Sequence, residues 1–201
     1  LISFYPFNGN SNDRSGNSRN GVSTGITYST DRNSEVNSSV VFNGTGSIRL
    51  PGIGQTGGSF SIAFWYKTTQ GGTILATDNI FLGADNTYNQ FIASWNISIG
   101  TYSPGGAPVF LTDTWHHVVV THDSNTRIIS TYFDGVLWFE RPESGYFLGN
   151  NEDIYIGIVV KQYIIQFPYI KPYFVGSIDD IYFFNRAVNA SEVEQLYYYP
   201  H

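Results

Sequence analysis

The sequence predicts an all-β protein: a two-sheet antiparallel sandwich with one short C-terminal helix. Three observations carry this reading. Short runs rich in Val, Ile, Phe, Tyr, Thr and Trp recur along the whole chain of 201 residues, each closed by Gly, Asn, Asp or Pro. The run Ser59–Thr68 alternates, with Ile62, Phe64 and Tyr66 facing one way and Ala63, Trp65 and Lys67 the other, so at least one face of its sheet is buried. Helix start and stop signals occur together once, near the end, where Asn189 as N-cap and Glu192 three residues on form a variant capping box ahead of Pro200.

Taken in order, Leu1–Phe7 opens the chain as a strand, and Ser39–Phe42 and Ser47–Leu50 flank a tight Asn43-Gly44 turn. Ser59–Thr68 is long enough to cross a sheet. Further strands are expected at Thr73–Thr77, Ile80–Gly83, Gln90–Ser94, Trp115–His122, Arg127–Phe133, Val136–Arg141, Ile154–Val160 and Tyr173–Phe184. Asp134-Gly135 predicts a type I′ hairpin, because both residues tolerate the positive φ which that turn demands. The helix runs from Asn189 through Leu196. No internal repeat or low-complexity linker intervenes, so residues 1–201 read as one domain.

Composition narrows the function. A 41% apolar content with 15 Phe, 15 Tyr and 4 Trp is that of a folded chain. A net charge of −6 and the lack of any Lys or Arg run argue against nucleic acid and anionic membranes as partners, and the longest apolar stretches are far too short to span a bilayer. The chain is therefore expected to be soluble, with no membrane insertion. With no Cys there are no disulfides, thiolate nucleophiles or zinc-thiolate sites. Leu1–Phe7 lacks the basic and long apolar segments of a signal peptide, so a processed chain or part of a larger multidomain chain is expected. Glycosylation sequons stand at Asn37, Asn43, Asn96 and Asn189.

Several phrases, in order across nearly the whole chain, resemble one family. They are Phe4-Tyr5-Pro6-Phe7-Asn8-Gly9-Asn10 with Asp13-Arg14-Ser15-Gly16, then Val41-Phe42-Asn43-Gly44 and Phe60-Ser61-Ile62-Ala63-Phe64-Trp65. Trp115-His116-His117-Val118, Phe133-Asp134-Gly135 and the run from Gly176 to Val188 follow. Together they resemble bacterial laminin-G-like, concanavalin A-like domains. The resemblance implies an antiparallel jelly-roll β-sandwich, one sheet concave and one convex, with a C-terminal helix at an edge. It leaves the ligand open, since this fold hosts lectins, adhesion modules, hydrolases and structural domains.

Candidate chemistry is sparse. Glycosidases that retain configuration need two carboxylates flanking one bond, whereas Glu35, Glu140, Glu143 and Glu152 are scattered near turns, and Glu192 and Glu194 lie two apart on the helix. His116 and His117 are strand neighbours, so they face opposite sides and cannot share a metal; one is expected to pack and the other to meet solvent. Gly52, Gly54, Gly57 and Gly58 read as a flexible loop. An enzyme on this fold would need a cleft lined by residues such as His122, Arg127 and Tyr132.

The resemblance further implies a structural calcium ion held by carbonyls of Phe7 or Asn8 and of Gly44 and by the carboxylate of Asp179, with Asp13 as an extra ligand. Asp13 serves equally well as an Asx-turn onto Ser15 or Gly16. Of Asp179 and Asp180 only one is expected to point inward, because strand neighbours alternate. The least family-like segment is Lys161–Pro172, where Tyr163, Phe167 and Tyr169 offer flat apolar faces with polar tips, suited to a sugar ring, a protein partner or the loop's own core. Trp95, Tyr102 and Trp138 are similar candidates, Trp138 with a stronger claim to the core; Trp65 and Trp115 are assigned to the core. The expectation is a non-catalytic recognition or adhesion module, secreted or on a cell or virion surface, binding a glycan or a surface protein. A structural subunit in a repeated assembly is the alternative.

Overall fold

The structure is a computed structural model describing residues 1–53, 58–78, 80–85, 87, 90–95, 112–142, 152–159 and 171–198, with the side chains of 94 and 95 outside the description. Among these residues the strands are β1 (Ser3–Tyr5), β2 (Val22–Thr24), β3 (Thr27–Ser29), β4 (Ser39–Asn43), β5 (Ser47–Leu50), β6 (Phe60–Lys67) and β7 (Gly72–Ala76). They continue as β8 (Ile80–Asp85), β9 (Gln90–Trp95), β10 (His116–Asp123), β11 (Ile128–Phe133), β12 (Val136–Pro142), β13 (Ile154–Ile156) and β14 (Val175–Phe184), before helix α1 (Ala190–Tyr198).

Two antiparallel sheets form the sandwich. One has eight strands in the order β12-β11-β10-β6-β14-β4-β3, with β1 also on β14; the other has six in the order β2-β5-β13-β7-β8-β9. The ten-residue β14 takes β6 along one side and, along the other, β4 on its first half and β1 on its second. The alternation of β6 explains the layering. Ile62, Phe64 and Tyr66 enter the core between the sheets, with Phe42, Ile48, Leu75, Leu82 and Phe91. Ala63 faces outward and joins Val119, Tyr132, Tyr182, Val188 and Val193 in a second apolar layer under α1. Both faces of this sheet's centre are thus buried, which is why β6 has little polar character.

Two local expectations need correcting. The Asn43-Gly44 turn does not close a hairpin: β4 belongs to the eight-stranded sheet and β5 to the six-stranded one. The chain passes from sheet to sheet there, and it does the same between β2 and β3, two three-residue, mostly exposed strands too short to show an alternation in the sequence. The two crossings pack so closely that a Cβ on Gly46 would lie 2.4 Å from the Gly25 carbonyl oxygen. Second, β14 bulges between Asp179 and Tyr182, and Asp180 takes φ 48°, so the alternation that separates neighbouring side chains fails there. The Asp134-Gly135 turn is as expected, with φ 47° and 81°. So is the helix cap: Glu192 N–H donates to Asn189 Oδ1 (3.0 Å) and Asn189 N–H to Glu192 Oε2 (2.9 Å).

Candidate functional site

The sequence-derived ligand residues Tyr102, Tyr163, Phe167 and Tyr169 lie outside the described residues. Trp95 ends β9, but its side chain is outside them too. Trp65 is buried, on the outer face of the eight-stranded sheet and not in the central core, and Trp115 is only half-buried with the Lys67 ammonium 5.5 Å from its ring. Trp138 packs on the central core, edge-on to Phe133.

The residues expected to hold calcium have the following partners within the fold. The Phe7 carbonyl accepts the Gly9 N–H at 2.8 Å. Asp13 Oδ1 accepts the N–H groups of Phe4 and Ser15, and Oδ2 accepts the Arg19 N–H and the Ser15 hydroxyl, all at 2.9–3.0 Å. This is an Asx-turn onto Ser15 that also staples the first loop to β1. Burial pushes its carboxyl up, but these donors outweigh burial and hold it below the usual carboxylate range. Gly44, at φ 92°, turns the chain between sheets. Asp179 and Asp180 both point at one cation, Arg32, whose Nη1 lies 2.5 Å from Asp179 Oδ2 and Nη2 2.6 Å from Asp180 Oδ2. The bulge makes that convergence possible. No group of three or more His, Asp or Glu side chains among the described residues is placed to hold a metal.

Arg32 is delivered by the loop after β3, where Asp31 Oδ1 accepts the N–H groups of Asn33 and Glu35. Its guanidinium lies 4.6 Å from the Trp65 ring centroid. Beside it His117, 1% exposed, sits with ring centroids 4.9 Å from Trp65 and 5.9 Å from Tyr197 of α1. Among the described residues His117 Nδ1 has no hydrogen-bond partner. Burial, with a smaller push from Arg32, lowers its pKa from 6.5 to about 3, against the opposing pull of Asp134. Asp179 is shifted the other way, upward, by burial and by Asp180, with Arg32 restraining the rise.

His116, the neighbour, faces the opposite side. Its Nδ1 lies 2.9 Å from Asp134 Oδ2, while its Nε2 lies 3.0 and 3.1 Å from the hydroxyls of Thr112 and Thr114. Asp134 Oδ1 also accepts the His117 N–H at 2.8 Å, so these contacts tie the approach to β10 onto the β11–β12 turn. The trio His122, Arg127 and Tyr132 does not line one cleft: His122 packs on Phe60 in the central core, Tyr132 faces α1, and Arg127 is exposed in a turn.

The arrangement best suited to a ligand was not among the predicted residues. A groove of ~470 Å³ runs between the end of β14 and α1, lined by Leu1, Tyr182, Phe184, Arg186, Val188, Glu192, Gln195 and Leu196. That is the size range of small-molecule sites, about 300–1,000 Å³. Tyr182 and Phe184, two apart on β14, share a face, and their rings are nearly parallel (13°) with centroids 6.0 Å apart. Phe4 stacks on Tyr182 at 4.2 Å and braces this wall, and burial pushes the Tyr182 hydroxyl's pKa up. Arg186 extends the row, with its guanidinium 5.8 Å from the Phe184 ring and both terminal nitrogens 2.6 Å from the Glu192 carboxylate oxygens. Buried Ser61 fixes the approach to α1, donating to the Arg186 carbonyl (2.8 Å) and accepting the Val188 N–H (2.9 Å). One signal pointed here: Ile181-Tyr182-Phe183-Phe184 is apolar on both faces, so something had to cover the outer one.

This sandwich, with a helix closing its outer face, defines the class of protein. The chain belongs to the concanavalin A-like lectin/glucanases superfamily, matching its Laminin_G_3 family over residues 42–194. Among solved structures it is similar to domain 4 of AbnA, a GH43 extracellular arabinanase from Geobacillus stearothermophilus, in complex with arabinotriose. The identity is 22% and the TM-score 0.73, over 98% of this chain and 97% of that one. It is also similar to the binding domain of Paraclostridial Mosquitocidal Protein 1 (17% identity, TM-score 0.75) and to that of botulinum neurotoxin serotype G (18%, 0.73). In both cases 98% of this chain is covered, yet it spans only about half of the toxin domain, 51% and 50% respectively. No curated protein matches the chain. At these identities the likenesses establish the fold.

Proposed function

We propose that this protein is a non-catalytic carbohydrate-recognition module of the cell exterior and that the groove between β14 and α1 is its binding site. The observation that carries the reading is the near-parallel Tyr182–Phe184 wall ending in Arg186, Glu192 and Gln195. Sugars combine apolar C–H faces with hydroxyl edges, so a flat aromatic wall bounded by a few directional polar groups complements both. Support comes from the similarity to an arabinanase domain in complex with arabinotriose and to toxin binding domains. The alternative, a structural subunit, draws on β12, which among the described residues ends the strand order of the eight-stranded sheet and exposes Val136 and Leu137.

The test is saturation-transfer NMR and calorimetry against a panel of oligosaccharides that includes arabinotriose, with size-exclusion chromatography of the same samples. Phe184→Ala is expected to weaken saturable binding about tenfold, the upper end for one aromatic contact. A Tyr163→Ala, Tyr169→Ala double variant separates the sites: loss there, with Phe184→Ala unaffected, moves the site to the 161–172 loop. No binding to any sugar, together with a self-associating chain, supports the structural subunit.

A further inference from the structure

We infer that the groove selects neutral saccharides over acidic ones and that Glu192 sets this selectivity by clamping Arg186; this rests on the groove being the sugar site. Among the described residues, Arg186 is the one basic side chain lining the groove. An uncommitted guanidinium there would recruit carboxylates, sulfates and phosphates, because its planar fork matches them in a bidentate pair. Here the fork is already filled. Nη1 and Nη2 each lie 2.6 Å from a Glu192 oxygen, and the charge at the groove mouth is cancelled.

What remains favours a group that both donates and accepts. Arginine's other N–H bonds donate, the Glu192 oxygens accept, and the Gln195 amide does both. A sugar hydroxyl satisfies either kind of partner. A carboxylate can only accept, and it would meet the negative charge of Glu192 on a chain whose net charge is already −6.

The clamp is held by the fold and not by the ion pair alone. Glu192 stands three residues after the N-cap in the capping box, its Oε2 accepting the Asn189 N–H at 2.9 Å. The residue that caps the helix therefore neutralises the arginine, and its carboxyl is held below its ordinary range first by Arg186 and then by the Asn189 N–H.

Glu192→Gln isolates the charge, since a glutamine can still accept the capping hydrogen bond. Binding of neutral arabinotriose and of anionic trigalacturonate is measured by calorimetry for the wild type, Glu192→Gln and Phe184→Ala, with melting curves to confirm folding. The wild type is expected to bind the anionic trimer about tenfold more weakly than the neutral one. Glu192→Gln should shift the ratio of anionic to neutral affinity about fivefold towards the anionic trimer, as one exposed ion pair is modest. Equal wild-type affinity for the two trimers would overturn the selectivity while leaving the site in place. An unchanged preference in Glu192→Gln would overturn the role of Glu192. Binding of neither trimer, or binding that Phe184→Ala does not weaken, would remove the groove reading and this inference with it.

Discussion

Lowering the pH from 7.5 to 5 is expected to cost the wild-type fold about 2 kcal/mol through His117 alone. The ring is fully buried against Trp65 and Tyr197, which stack on each other at 5.4 Å, with no partner for Nδ1 among the described residues and with Arg32 nearby, which places its pKa at about 3 against 6.5 for an unperturbed histidine. Between those values the unfolded chain binds a proton that the folded one refuses, so stability is complete above pH 6.5 and falls as the pH drops towards 3. Each pH unit in that window is worth about 1.4 kcal/mol, giving roughly 2 kcal/mol at pH 5 and approaching 5 kcal/mol near pH 3. Asp179 acts with the opposite sign: raised in the fold, it retains a proton there that the unfolded chain releases, so its contribution grows as pH falls. The informative quantity is therefore the difference between wild type and His117→Phe, which keeps a ring in the stack and leaves the aspartates in place. Denaturant unfolding followed by tryptophan fluorescence at pH 7.5, 6 and 5 measures it. A difference that stays flat across the series would mean that the folded protein accommodates the imidazolium, and the burial argument would be refuted.

Two further outcomes follow from the packing. Arg32→Ala strands two buried carboxylates and should cost about 3–5 kcal/mol at pH 8. It should cost less at pH 5, where Asp179, raised by burial, carries a proton; and because Arg32 is already the cation there, adding a chelator should leave the wild-type melting temperature unchanged, with a clear drop counting for a bound ion. Gly72→Ala places a Cβ 2.0 Å from the Tyr173 carbonyl oxygen at φ 118°, so calorimetry should show a loss of about 3 kcal/mol, on the order of 10 °C.

The sequence by itself determined the all-β class, the strands from β4 to β14, the type I′ turn at Asp134-Gly135 and the capped helix. Each is written locally, in two-residue alternation, in side chains that tolerate positive φ, or in a three-residue capping spacing. The site was not legible in the same way, because Tyr182 and Phe184 are simply apolar strand residues in the sequence until a helix starting six residues further on is known to cover some of the outer face and leave a groove. Likewise the alternation rule separated Asp179 from Asp180, and only the bulge and the 147-residue reach of Arg32 brought both carboxylates to one guanidinium. Local patterns fix which face a side chain takes within its own element. What it meets there depends on the packing of distant segments, and that the tertiary structure alone decided.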